Sequence, residues 1–399
     1  MKHQFLRLAL VLGLLSAIGP FAIDMYLPSL PAIGSALHAD THAVQLSLTV
    51  FFLSFAVSQL LYGPASDMFG RKPPLYAGIA LFVAGSIGCA MAHDIGTLIA
   101  FRFVQGLGGG APNVITRAVV RDLHTGHEAT RLMSLLMLVF SVSPILAPLA
   151  GSFIVEAGGW AAVFWVVATI GVLGLALTAF ALEETRPPAD RHGSGLASTW
   201  RAFALLARDP HFMGLTGVAS LGVGAFFIYL SNSSFVLIGQ YGLTPRQYGL
   251  AFAVNAASFI TVSQLAGRLT RRHGLSKVVS VSVAGFALTM VAGVALHAAG
   301  ATQLGTLIVM LMIGFGFLGL VVPTTSVMAL DHHGDIAGAA SALMGTLQMV
   351  MGAVVIAVMG LVSDGGARAM LAGVAVTALL TWALAWLSLR GERAAAPAH

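Results

Sequence analysis

The chain alternates between long apolar stretches and short polar ones, and twelve of the stretches are near the roughly 20 residues that cross a bilayer as a helix. They cover about 6–33, 43–65, 74–92, 96–120, 129–154, 160–182, 211–238, 246–268, 277–298, 303–327, 336–361 and 367–389. The longest polar connection, EETRPPADRHGSGLASTWRAFALLARDP at 183–210, is rich in Pro, Gly and charge. It predicts a linker carrying a short amphipathic surface helix. The pattern therefore predicts an all-α membrane protein. Residues 1–182 form an N-terminal six-helix bundle, 183–210 a cytoplasmic linker, and 211–399 a C-terminal six-helix bundle.

Composition agrees with that pattern. Only 9% of the 399 residues are charged and 57% are hydrophobic, too little charge to cover a soluble core of this size. Lys2 and Arg7 precede the first apolar stretch, but it is too long for a signal peptide and lacks a clean cleavage site, so it reads as an uncleaved span. With the N-terminus placed inside, sixteen of the twenty Lys and Arg fall on the inner side, only Arg246 and Arg368 fall outside, and Arg102 and Arg117 lie within the fourth span. This bias places both termini in the cytoplasm and supports an even number of spans. The basic isoelectric point follows from these loops and not from a clustered basic face, so no nucleic-acid partner is expected. Cys89 is the single cysteine, which excludes an internal disulfide, and the thirteen histidines show no metal-ligand spacing. His332 and His333 read as solvated loop residues.

The two halves echo each other. SFAVSQLLYGPASDMFGRK (54–72) closes the second span and SFITVSQLAGRLTRRHGLSK (258–277) closes the eighth. The pairs Gly63/Gly70 and Gly267/Gly274 are both offset by 204, about half the chain. Duplicated six-span halves are a common architecture of secondary transporters.

One acid stands inside an apolar run: Asp24, in FLRLALVLGLLSAIGPFAIDMYL. An ionised carboxylate at the centre of a span costs roughly 2.5–3.5 kcal/mol, so a cavity, a partner or a proton must relieve it. Asp24 lies about 9 residues, or roughly 14 Å, from the outer end of its span, and Arg102 about 6 residues, or roughly 9 Å, from the same face. Opposite charges at similar depth predict a pair or a shared water cavity; the bland alternative for Arg102 is a snorkelling side chain.

The motifs carry a family resemblance. GPASDMFGRK (63–72) is similar to the loop signature between spans 2 and 3 of the major facilitator superfamily, and FRFVQGLGGG (101–110) resembles the span 4 signature of its drug:proton antiporters. AIDMYLPSLP (22–31) looks like the span 1 signature of the bicyclomycin/chloramphenicol (Bcr/CflA-type) resistance subgroup. SVSPILAPLAG (141–151) resembles the span 5 antiporter signature, with Ala147 where the family usually has glycine before Pro148. The resemblance implies two pseudo-symmetric six-helix bundles, a proton-coupling role for Asp24 and Arg102, and an antiporter kink at Pro144, Pro148 and Gly151. It also implies a conformational latch of Gly63, Asp67, Gly70, Arg71, Lys72, Arg121 and Asp122. From its place at a helix end, Asp67 is expected to meet either Arg121 or the N-terminus of a neighbouring helix. Solvated topological charges are the alternative for that loop.

Tyr26, Asn113, Tyr229, Asn232, Asn255 and Gln348 are candidates to line a substrate cavity, with interhelical hydrogen bonding the competing role for each. GLGGG (106–110) follows no strand, so it reads as close helix packing and not as a nucleotide loop. No catalytic constellation is present, and no metal or cofactor is expected. The expectation is a monomeric bacterial inner-membrane exporter, whose partners are small amphiphilic drugs, protons and the bilayer. A proton-coupled transporter of one metabolite is the alternative, because direction is not written in a fold.

Overall fold

The computed structural model describes residues 2–124, 126–188, 196–331, 333 and 336–395. Among them there is no strand and the α-helices number fourteen. They are α1 (Lys2–Asp24), α2 (Leu30–Ala36), α3 (Thr41–Phe69), α4 (Lys72–Ala90), α5 (Ile95–Leu123), α6 (Gly126–Phe180) and α7 (Leu196–Arg208). There follow α8 (Pro210–Ser234), α9 (Pro245–Ser263), α10 (Ala266–His273), α11 (Leu275–Ala298), α12 (Leu304–Leu330), α13 (Ala337–Val362) and α14 (Ala367–Ala395). Every expected span falls on these helices, the first across α1, a 3-10 turn and α2 and the eighth across two helices, and the protein is a membrane-spanning, all-α chain.

Caps and breaks explain the boundaries. Asp40, Asp94 and Asp209 precede α3, α5 and α8 and accept from the backbone amides of Ala43 (2.7 Å), Thr97 (2.8 Å) and His211 (2.8 Å), satisfying donors that a helix start leaves free. Pro28 and Pro31 open the 3-10 turn Leu27–Ser29 and α2, where a missing amide costs nothing. The fifth and sixth expected spans run on without a loop as α6, broken at Gly159 (φ 76°, ψ −178°). The eighth span is divided into α9 and α10. Gly70 (φ 90°) and Gly274 (φ 80°) end α3 and α10 in a conformation that side chains other than hydrogen rarely adopt. The second glycine of each repeated loop thus makes the same turn.

The helices group into two compact units. The first contains Met1–Thr199 and Thr244–Gly249, the second Trp200–Leu243 and Leu250–His399. In the first, α5 packs against both α3 and α4, and α1 and α4 pack on α6. In the second, α8 packs on α12, α13 and α14, and α11 on α12 and α14. In α7, Leu206 is buried while Trp200 and Leu205 are exposed, the amphipathic helix expected in the linker.

The glycines of α5 set its separations. A Cβ on Gly106 would lie 2.5 Å from the Phe51 carbonyl oxygen of α3, and one on Gly85 of α4 would lie 2.5 Å from the Gln105 nitrogen of α5. Both approaches are backbone to side-chain position, so nothing flexible can give way. Gly106→Val is therefore expected to destabilise the first unit by at least about 1–3 kcal/mol, the usual cost of overpacking. Thermal unfolding of the detergent-solubilised protein is the measurement, and an unchanged midpoint would refute the packing account.

Candidate functional site

Arg102, on the second turn of α5, is 0% exposed, so it does not snorkel. Its guanidinium lies 4.1 Å from the Phe51 ring centre and 4.5 Å from that of Tyr26. Nη1 donates to Gln105 Oε1 (2.5 Å) and to the Ala22 carbonyl (3.3 Å). Gln105 in turn donates to Ser86 Oγ (2.8 Å) on α4, and the Tyr26 hydroxyl meets Ser47 Oγ (2.7 Å) on α3. Two aromatic faces and one amide thus hold the cation, in place of a carboxylate. Nε and Nη2 are buried without an acceptor among the described residues.

Asp24 ends α1 and is 5% exposed. No hydrogen bond or ion pair reaches its carboxylate among the described residues. The expected pair with Arg102 is not formed in this structure, because the guanidinium is committed to the two rings, to Gln105 and to the carbonyl of Ala22. Tyr26, expected to line a cavity, forms one wall of this arginine box. Gly151 of α6 abuts the Met25 carbonyl, next to Asp24, with Pro144 and Pro148 in the same helix. Gly151, the last residue of the 141–151 motif, therefore lies beside the turn that carries the acid of the first span.

A second cluster forms at 63–72. Arg71, 3% exposed, donates Nε to Asp122 Oδ2 (2.7 Å) and Nη2 to Asp122 Oδ1 (3.0 Å), a bidentate pair. Its Nη1 donates to Asp67 Oδ1 (2.8 Å) and Ser66 Oγ (2.7 Å). Glu184 accepts from the backbone amides of Arg71 (2.8 Å) and Lys72 (3.1 Å), and Lys72 Nζ donates to the Leu182 carbonyl (2.8 Å). Thr185 donates to Asp122 (2.8 Å). Asp67 meets Arg186 (3.4 Å) and not Arg121, since the chain leaving α6 lays Arg186 over the loop. Arg121 lines the adjoining cavity of about 290 Å³ with Gly63, Asp67, Arg71, Asp122 and Arg186. Partial burial pushes the Asp122 carboxyl upward, but bonds from Arg71 and Thr185 and the charges of Arg71 and Arg186 outweigh it and hold it below the usual range.

The remaining candidates divide. Asn113 donates to Gln59 Oε1 (3.2 Å) and accepts from Arg117 Nη2 (3.2 Å), a ladder between α3 and α5. Asn255 donates to the Tyr229 hydroxyl (3.0 Å), and its own Oδ1 is buried without a donor among the described residues. Tyr229 stacks on Phe252 with ring centres 5.2 Å apart and packs on Phe315. Asn232 donates to its own helix at the Ile228 carbonyl (3.0 Å) and accepts from Ser363 Oγ (3.1 Å), the hydrogen-bonding role given as its alternative. Gln348 is half-buried on α13. His333 is not solvated: its Nε2 lies 2.8 Å from Asp209, with 10% of its side chain exposed. His332 lies outside the described residues.

Gln105, Phe51, Glu184, Thr185 and Arg186 are the participants that the sequence pattern did not single out. Gln105 carried a usable signal, since it stands three residues after Arg102 on the same helix face.

A family model described as Major Facilitator Superfamily matches residues 12–356. The chain belongs to the major facilitator superfamily. This superfamily member is 35% identical to the uncharacterized MFS-type transporter YdgK of Bacillus subtilis, over 97% of this chain and 96% of that one. It is 32% identical to a bicyclomycin resistance protein homolog of Haemophilus influenzae, over 86% of each. Among solved structures, it shares its fold with the xylose transporter XylE from E. coli (TM-score 0.75, 14% identity, 96% of this chain and 98% of that one). It is a transporter of small molecules and not an enzyme.

Arg71→Ala removes the bidentate partner of Asp122 and a partner of Asp67 and is expected to cost on the order of 1–3 kcal/mol, with Arg71→Lys intermediate because it loses the fork. An acid held below its usual range stabilises the fold above its unfolded value and loses that contribution as pH falls through the lowered one. The deficit of Arg71→Ala should therefore be constant from about pH 5 to 8 and shrink only below about pH 4. Unfolding midpoints across that range are the check, and a deficit that varies near pH 7 would contradict the Asp122 assignment.

Proposed function

We propose that the protein is a drug:proton antiporter of the bacterial inner membrane, exporting small amphiphilic compounds such as antibiotics by alternating access, with both termini cytoplasmic. The observation that carries this reading is Asp24, a buried carboxylate inside a span that no ion pair neutralises. Such a group is tolerable when its protonation state changes with the transport cycle. Burial and a nearby cation pull a carboxyl group's proton affinity in opposite directions, so a change in their balance can load and release a proton. The two nitrogens of Arg102 that lack acceptors, Nε and Nη2, would receive the Asp24 carboxylate in another state of the cycle. Asp24 then takes a proton from outside, releases it inside, and the substrate leaves in exchange.

The bicyclomycin resistance homolog supports a drug as the cargo. Substrate recognition falls to weakly directional groups: Asn113 in the first unit, Tyr229, Asn255 and Gln348 in the second. Apolar walls with few fixed polar partners accept varied shapes by area burial. Asp67, Arg71, Lys72 and Asp122 act as the latch that biases the conformational equilibrium and do not touch substrate.

Asp24→Asn keeps the side-chain size and removes titration. Expressed in an efflux-deficient host, it is expected to reach the membrane at normal levels while protonophore-sensitive efflux falls to background. Arg102→Ala should lose more transport than Arg102→Lys, which keeps the charge without the planar fork. Full protonophore-sensitive efflux by Asp24→Asn would sink the proton assignment, and proton-driven uptake of one metabolite without resistance would replace export by import.

A further inference from the structure

The two repeated loops share a backbone turn but differ in charge. Around the first, Asp67, Asp122 and Glu184 gather on Arg71, Lys72 and Arg186. The second places Arg268, Arg271, Arg272, His273 and Lys277 within ten residues that contain no acid. All five are exposed, and no side-chain hydrogen bond or ion pair engages them among the described residues.

The helix geometry sorts these residues by face. In α10, Ala266 and Leu269 pack into a cluster with Val278, Leu320 and Val262, which seats that side on α11 and α12. At about 100° per residue, Arg268, Arg271 and Arg272 fall on the opposite side as one i, i+3, i+4 ridge. Lys277 adds a further charge just past the Gly274 turn. Leu265, 41% exposed, stands beside the ridge, and α11 carries exposed Val281 and Leu288 away from it along the span. A basic ridge on an amphipathic turn, placed where lipid-facing apolar surface ends, is at the depth of phospholipid headgroups.

We propose that α10 and Lys277 form a binding site for the phosphate headgroups of anionic phospholipids, anchoring the end of the eighth span to the bilayer surface. The exposed apolar residues beside the ridge favour a lipid over a soluble acidic protein. Each guanidinium offers paired donors to phosphate oxygens, which makes the site more than a carrier of topological charge.

The test uses the purified full-length protein in detergent, titrated with phosphatidylglycerol and with phosphatidylcholine of the same chain length, with bound lipids counted by native mass spectrometry. Wild type should prefer phosphatidylglycerol, and the preference should weaken with added salt. Arg268→Gln/Arg271→Gln/Arg272→Gln should lower it roughly tenfold or more. The triple Lys variant, which keeps the charge without the paired donors, should fall between wild type and the triple Gln variant, and Arg201→Gln/Arg208→Gln, which removes charge elsewhere, should leave the preference unchanged. Undiminished preference in the triple Gln variant overturns the proposal, as does equal loss in the Arg201/Arg208 control. Competition by inorganic phosphate at matched concentration would make this a free-anion site, and a stronger hold on an acidic peptide would make it a protein site; either result refutes the lipid assignment. The Lys variant keeps the outcome readable should the Gln variant fail to fold.

Discussion

The cost of charge in hydrocarbon organises this protein. Away from the span ends only three formal charges stand inside the membrane-length stretches, Asp24, Arg102 and Arg117, all in the first unit. Each is handled differently. Arg117 is tied to Asn113 and through it to Gln59. Arg102 is boxed by Tyr26, Phe51 and Gln105. Asp24 has no such partner. The glycines that bring the helices together also build the box: Gly106 abuts the carbonyl of Phe51, and Gly85 abuts the backbone of Gln105. These are the residues whose side chains hold Arg102. Close packing and burial of the cation are therefore one design, since wider helices would leave the guanidinium without its walls.

Spans, linker helix, repeated turns and the buried Arg102 and Arg117 of α5 were all legible, because each has a one-dimensional signature: hydropathy, amphipathic period, a glycine pair, a charge in the wrong solvent. The partners were not. Nothing in the spacing of FRFVQGLGGG says that Phe51, about fifty positions earlier, closes over Arg102. The same limit explains Arg186, which displaces Arg121 as the partner of Asp67. Arg121 is nearer to Asp67 in sequence, but the course of the chain after α6 decides the contact. The continuity of α6 escaped for a different reason: a single glycine at Gly159 does what a polar loop was expected to do.

The repeat shows which features a duplicated loop keeps. Gly70 and Gly274 both hold positive φ, so the backbone turn is common to both copies. The side chains around it are not. Acids from three elements close the first loop into a network, whereas among the described residues no acid is bonded to the basic side chains of the second. A backbone requirement met only by glycine resists divergence, because other residues would be strained there. Surface charge carries no such constraint and is free to acquire a separate partner.

The distribution of polar groups between the units bears on coupling. In the second unit the buried polar side chains are uncharged: Tyr229, Asn232, Asn255 and hydroxyls such as Thr216, Ser220, Ser234, Thr324 and Thr346. Several of those hydroxyls lack a partner among the described residues, as does Asn255 Oδ1. Amides and alcohols do not change protonation near neutral pH, and a phenol does so only near pH 10. They can recognise a substrate by hydrogen bonds and area, but they cannot store a proton between one half-cycle and the next. If transport is driven by a proton gradient and a carboxylate inside the spans carries the proton, that group is Asp24 of the first unit, the only acid within the expected spans. Recognition and energy coupling would then lie in different units, and a substrate could change its shape without disturbing the chemistry that moves it.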